Sequence, residues 1–365
     1  MDHLRYFAGL AMQLVGLAGI LAGGIWAWSG FGTLLLLAAI DPLLGVDLRT
    51  RRLAAPRLAL LPAYLSVFMG VILLLAVAWK VGQGNVGGLA IAGMVLSLGW
   101  LGVVPIVPAV HELYHARNPI TRALGLYLQL PYMDCSRGVA HMLGHHLYVG
   151  TRKDPDTPIR GETVYGFVAR VMVDNYREFY GIEKASQAKR GQSVWSWRGI
   201  FPRAIAAYAV FALVLLAVGG LAGAAVAIGG TMVSRLWVEA FNYFQHYGLI
   251  RVESEPIARR HVWNHLSPLV RAAGFEITNH AEHHLDPSIP YYKLVPDAGG
   301  PQMPSIFLCF LAALVPPVWF RSIALPRLEH WDRHFASPAE RELAREANRR
   351  AGWPDWSSAS AETAS

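Results

Sequence analysis

Cysteine is almost absent: Cys135 and Cys309 are the two in 365 residues, far apart and in no CxxC pair. That excludes a disulfide framework, a rubredoxin-type iron site and a four-cysteine iron–sulfur cluster in this chain. Charge is scarce as well, at 16%, where a soluble domain carries about a quarter. Hydrophobic residues reach 54%, mean hydropathy is +0.32, and the excess lies in runs, which points to a membrane protein. A net charge of +7 then reads as basic loops facing the cytoplasm and anionic lipid, not as a nucleic-acid surface. No cleavable signal peptide is evident, because the first apolar run begins at Tyr6 and is long enough to span.

The runs predict an all-α membrane protein with six transmembrane helices, at roughly 6–27, 30–45, 58–79, 88–110, 203–219 and 221–240. Most can cross a hydrocarbon core of about 30 Å at 1.5 Å per residue. The first two form a helical hairpin, and Gly219-Gly220 breaks the 203–240 stretch into two antiparallel spans. Buried helices of a large soluble fold are disfavoured, since the runs have no charged face to show water. The loop 46–57 holds Arg49, Arg51, Arg52 and Arg57, whereas 80–87 holds only Lys80. Both termini and the long polar segments 111–202 and beyond 241 therefore face the cytoplasm of a bacterial-type inner membrane. Residues 1–334 are expected to form one membrane unit. Residues 335–365 form a cytoplasmic tail, with an amphipathic helix over PAERELAREANRR and disorder over Ser357–Ser365. The apolar stretch 305–320, interrupted by Pro316-Pro317, is short for a span and lies in the interface or against the bundle.

Nine of the fourteen histidines fall into four clusters: HELYH (His111, His115), HMLGHH (His141, His145, His146), NYFQHYG (His246) and NHAEHH (His280, His283, His284). Positions i, i+3 and i+4 share a helix face, so His111/His115, His141/His145 and His280/His283/His284 each present converging imidazoles, with His146 turned slightly away. His111, His115 and His246 sit where the fourth and sixth spans leave the membrane, so all four clusters can meet in one cytoplasmic helical cap. Nine imidazoles are too many for one ion and ask for two, and imidazole suits Fe, Zn, Cu and Ni. Glu112, Glu239, Glu276, Glu282, Asp286 and His265 are candidates to orient the ligands. So are Asp154 and Asp156 in the turn DPDTP. Arg235, four before Glu239, reads as its ion-pair partner. His3, His330 and His334 read as surface residues. Helical turns back from His111 reach Val107/Pro108, Val104 and Trp100, which would line an apolar substrate cavity open to lipid.

At these clusters the chain resembles the membrane-bound histidine-rich di-iron hydroxylases and desaturases. The H-x3-HH spacing of the second box and the extra histidine of NYFQHYG are the alkane hydroxylase pattern. MDHLRYF, HELYH, GHHLYVGT, EAFNYFQHYGLIR, EITNHAEHH, PQMPSIFLCF and ERELAREANRRAGWP are similar to the hydroxylase components of xylene monooxygenases, a likeness that runs to about Trp356. Gln245 and Ala140 depart from the alkane hydroxylases, which usually carry Glu at both places. The resemblance implies a non-heme di-iron centre on the nine histidines. With O2, it would hydroxylate a methyl group of a small hydrophobic substrate such as xylene, toluene or p-cymene. The alternatives are terminal hydroxylation of medium-chain n-alkanes, or lipid desaturation. Two electrons from NADH would arrive through a separate flavin and iron–sulfur reductase, because the chain has no cysteine set and is expected to have no GxGxxG dinucleotide loop of its own.

Two other classes compete. HELYH alone is a zinc-protease signature, but that chemistry leaves most of the histidines without a role. A transporter would place its ligands near the bilayer midplane, not after each span.

Overall fold

The computed structural model describes residues 2–356; Ser357–Ser365, expected to be disordered, lies outside them. Among the described residues there is no strand, only one isolated bridge between Asn264 and Gln302. Among the described residues, four segments are long and apolar enough to cross a membrane: Gly24–Leu44, Pro56–Gly82, Gly88–Tyr114 and Ile200–His246.

The expected first span, 6–27, is shorter in the structure. Its helix is Ala8–Ala22, 15 residues, or about 22 Å at 1.5 Å per residue, less than the hydrocarbon core. Gly23 and Gly24, at φ 75° and 55°, turn the chain back in a conformation that other residues rarely adopt. A helical hairpin follows, with Ser29–Ile40 as its second arm. A side chain on Gly19 would run into Ser29, and one on Gly16 into Leu101.

The fourth apolar run is also interrupted. One helix covers Gly88–Leu101 and a second Ile106–Tyr114, where one continuous span was expected. Pro105 lacks the N–H that a helix needs and crowds the turn before it. The break leaves the HELYH residues on their own short helix.

Ile200–His246 would be about 70 Å long if straight, more than twice the bilayer core. It is folded over instead, with non-helical angles at Gly220 (φ 60°). Cys135 packs near Ala204 and Tyr208 on the first arm. Its neighbours Met133 and Asp134 meet Thr231 and Arg235 on the second. The arms therefore run antiparallel about Gly219-Gly220, as the sequence predicts. A Cβ on Gly219 or Gly223 would strike the backbone of Ala78. The second arm runs alongside Gly88–Leu101 in the same direction, with Leu98 against Gly230 and Gly99 against Val233. Both therefore deliver their histidines to the same end of the bundle.

Gly82-Gln83-Gly84-Asn85-Val86-Gly87 spells GxGxxG, a letter match that the expectation of no dinucleotide loop overlooks. It links two apolar helices and follows no strand, so the context that makes this motif bind dinucleotides is missing.

A buried ionic cluster closes that end. Arg235 pairs with Glu239, as expected, and Arg137 joins them, its Nη2 donating to Glu239 at 2.6 Å and its Nε to Asp134 at 3.1 Å. Ile306–Ala313 packs on the bundle, with Phe307 and Phe310 edge-on to Trp100. The tail helix Pro338–Ala351 begins at a capping box between Ser337 and Glu340 and lies against the cap.

Candidate metal centre

His111 and His115 come from the last turn and C-cap of Ile106–Tyr114, and His246 is the final residue of the long hairpin. His280, His283 and His284 lie on the helix His280–Leu285. The second box does not form the expected α-turn. Residues His141–His145 are a π-helical turn. A π-turn hydrogen-bonds i to i+5, which brings His141 under His146, their Nε2 atoms 2.9 Å apart. The expected pairing of His141 with His145, and the turning away of His146, are thus corrected.

The nine imidazoles converge in two groups. His111, His115, His141, His146 and His283 form one; His145, His246, His280 and His284 form the other, and in each the candidate ligand atoms lie within 4.8 Å of one another. The trio on 280–284 is split: His283 points into the group of five, and His280 and His284 into the group of four. Each group contains only imidazoles. In the first, Nε2 of His111 lies 3.1 Å from Nε2 of His141. In the second, Nε2 of His280 lies 3.0 Å from that of His246 and 3.1 Å from that of His284. Nε2 of His115 and of His283 is buried without a hydrogen-bond partner. Buried lone pairs facing one another at these distances are what a divalent metal ion would satisfy.

Two of these rings are oriented from behind. His145 Nδ1 lies 2.9 Å from Asp154. A carboxylate can only accept, so Nδ1 carries the proton and Nε2 is left free for the metal. His280 Nδ1 meets the Ile277 carbonyl at 3.1 Å, with the same consequence. Burial, together with the charge of His145, pushes His146 down to about 2 and His280 to about 3, and burial lowers His115 to about 4. These rings stay neutral, as ligands must. At His145, burial is outweighed by Asp154 and the basicity is raised.

The carboxylates expected behind the ligands face elsewhere. Glu112 accepts from the Tyr291 backbone N–H at 3.3 Å, and Glu239 belongs to the Arg137–Arg235 cluster. Glu276 accepts from Tyr6 at 2.8 Å, Arg271 at 2.6 Å and Asn279 at 2.9 Å. Glu282 meets Arg259, and Asp286 accepts from Ser288. Among the described residues none of them bonds an imidazole of the two groups; Glu239, Glu276 and Glu282 pair instead with arginines, whose guanidinium competes better for a carboxylate than a neutral ring does. The carboxylate that does this work, Asp154, comes from the DPDTP turn. His265 is buried beside the ring of Phe244, its Nδ1 donating to the Pro304 carbonyl at 2.6 Å; it lies outside both groups. The Ile277 carbonyl and the π-turn had no signal in side-chain spacing. His330 and His334 are exposed and His3 is half-buried. Trp100, Val104 and Pro108 are buried, and Trp100 donates to Thr33 at 2.9 Å.

Apolar helices of membrane-crossing length, carrying two converging sets of imidazoles at one end, define a membrane metalloenzyme of the histidine-box type. The fatty acid desaturase family matches residues 86–298. The chain is 40% identical over 98% of its length to the xylene/toluene monooxygenase hydroxylase component XylM of Pseudomonas putida, covering 97% of that protein. It is 29% identical to an alkane 1-monooxygenase of Pseudomonas putida, over 84% of this chain and 82% of the relative. A further alkane 1-monooxygenase, from Alcanivorax borkumensis, is 27% identical over 88% of the chain. The chain belongs to the fatty acid desaturase family, within its branch of membrane-bound hydroxylases.

Proposed function

We propose that this chain is the oxygen-activating component of a two-component monooxygenase that hydroxylates a methyl group on a small alkyl-aromatic molecule, such as toluene, xylene or p-cymene. The observation that carries the reading is the sorting of nine imidazoles into a five and a four, in a chain that is similar over its whole length to a xylene/toluene monooxygenase hydroxylase. Each group would hold one iron ion, on nitrogen alone. When bound, the irons supply the chemistry that splits O2: RH, O2, two electrons and two protons become ROH and H2O. The protein's own part is to hold the nine rings, to fix the Nδ1 protons of His145 and His280, and to keep water from the buried centre.

The electrons would come from NADH through a separate flavin and iron–sulfur reductase, since two lone cysteines cannot carry a cluster. Six spans, with the long hairpin counted as two and the short first helix included, would set both termini and the metal centre on the cytoplasmic side of the inner membrane. Residues 1–334 would then be the hydroxylase unit and 335–365 its cytoplasmic tail. The hydrophobic substrate would come from the bilayer, where it is already concentrated, to a cavity edged by Trp100, Val104 and Pro108. A flat ring suits the aromatic surroundings of Trp100, Phe307 and Phe310.

Similarity to alkane 1-monooxygenases favours a second reading, terminal hydroxylation of medium-chain n-alkanes at the same centre. Cells expressing the chain with a matching reductase, fed p-xylene and octane together, separate the two. The aromatic reading expects 4-methylbenzyl alcohol; 1-octanol with p-xylene untouched would overturn it.

A further inference from the structure

A buried carboxylate of the tail helix docks on the segment that contains His261. Glu340 is fully buried. Its Oε1 accepts from His261 Nε2 at 2.6 Å and Arg260 Nη2 at 3.0 Å, and its Oε2 from Arg260 Nε at 2.8 Å and the Ser337 N–H at 2.7 Å. His261 Nδ1 accepts from the Ala258 N–H at 2.9 Å, so the ring is the neutral tautomer with its proton on Nε2, held from both sides.

The residues just after His261 are bonded to the group of four. The Trp263 N–H donates to the Gln245 carbonyl at 3.1 Å, and its Nε1 to the Tyr247 carbonyl at 2.9 Å, so this one residue grips the backbone on both sides of His246. Asn264 Oδ1 accepts from the Ala281 N–H at 3.0 Å, next to His280. Val262 packs with Ala281 and Val149. Of the group of five, His283 shares the helix of Ala281 and His146 lies three residues before Val149; no comparable chain of bonds leads from Glu340 to His111, His115 or His141 among the contacts of the described residues.

We propose that Glu340 is a positioning residue for the group of four histidines, acting through His261 and the segment 261–264. The tail helix is thereby part of the metal centre's framework and not an appendage to it. A second tie strengthens it: Arg160 donates to Asp332 at 2.6 and 2.7 Å, to Asn348 of the tail at 2.7 Å and to the Gly248 carbonyl at 2.9 Å. The inference rests on the reading of the nine histidines as metal ligands.

The test follows chelator-driven release of iron(II) from the loaded full chain in detergent, with elemental analysis over time. Two ions are expected to leave the unaltered protein slowly. In Glu340→Gln one of them leaves roughly tenfold faster, the low end of what losing an outer partner costs a metal site, and the other at the unaltered rate. His261→Phe, which breaks the same contact from the other side, reproduces this. Glu342→Gln, on the exposed face of the tail helix, changes neither rate. Unchanged release in both buried variants, or equal acceleration of both ions, would overturn the proposal. Full retention of both ions by His280→Ala would instead overturn the ligand reading beneath it. Circular dichroism confirms that each variant compared has kept its helix content.

Discussion

His145 and Asp154, nine residues apart, meet at 2.9 Å, with the imidazole proton on the nitrogen that faces the carboxylate. Asp154 is itself fixed by Thr157, whose hydroxyl donates to it at 2.6 Å. The ring therefore has one orientation and one tautomer, and its Nε2 is presented to His246, His280 and His284.

Asp154→Asn removes the acceptor that sets this tautomer. Metal affinity or activity is expected to fall about 10–100-fold, with the loss confined to one of two ions. Metal titration of the apoprotein measures it; unaltered affinity for both ions would mean that His145 is not a ligand.

Replacing any one of His111, His115, His141, His145, His146, His246, His280, His283 or His284 by Ala is expected to abolish hydroxylation, since each supplies a bond with no spare nitrogen nearby. Ala at His3, His330 or His334 leaves activity largely intact. Product formation in whole cells compares the two sets, and similar behaviour in both would refute the assignment. The unaltered chain should carry two irons by elemental analysis; stoichiometric zinc in an active preparation would refute the di-iron reading.

Arg137→Met strips one of two cations from the cluster it forms with Asp134, Glu239 and Arg235, leaving buried carboxylates short of charge. A loss of about 3–5 kcal/mol is expected, as when one member of a buried pair is removed. Unfolding in denaturing detergent reads it, and a change below about 1 kcal/mol would show that solvent reaches the cluster.

Burial raises the Glu340 carboxyl, but His261, Arg260 and the Ser337 N–H outweigh it and hold it down at about 2. A carboxylate with a depressed pKa stabilises the fold above its ordinary value of about 4.3, and that contribution fades as pH falls toward 2. The difference in melting temperature between the unaltered chain and Glu340→Gln should be full at pH 7 and shrink between about pH 5 and 2. A difference independent of pH would mean that the charge is not what stabilises the tail.

Much of this could be read in the chain. Apolar runs and paired glycines predict the long hairpin, because a glycine pair between two apolar stretches leaves few ways to continue. The nine histidines are picked out by spacing alone. Spacing failed where it assumed an α-helical register. Glu239 lies on the expected helix face and still turns to arginines, since a buried guanidinium competes better for a carboxylate than a neutral ring does; Glu276 is not on the helix of His280 at all but in the turn before it, at φ 56°.

The sequence by itself pointed to a membrane protein and to nine imidazoles as its candidate metal ligands, because hydropathy and ligand type are properties of residues and need no fold to express them. Only the tertiary structure decided which histidine joins which group. A π-turn sends His141 and His146 one way and His145 the other, and one short helix divides His283 from His280 and His284. Such a sorting depends on the direction in which each ring leaves its backbone and on what it meets across a gap between distant segments, and no local pattern encodes that.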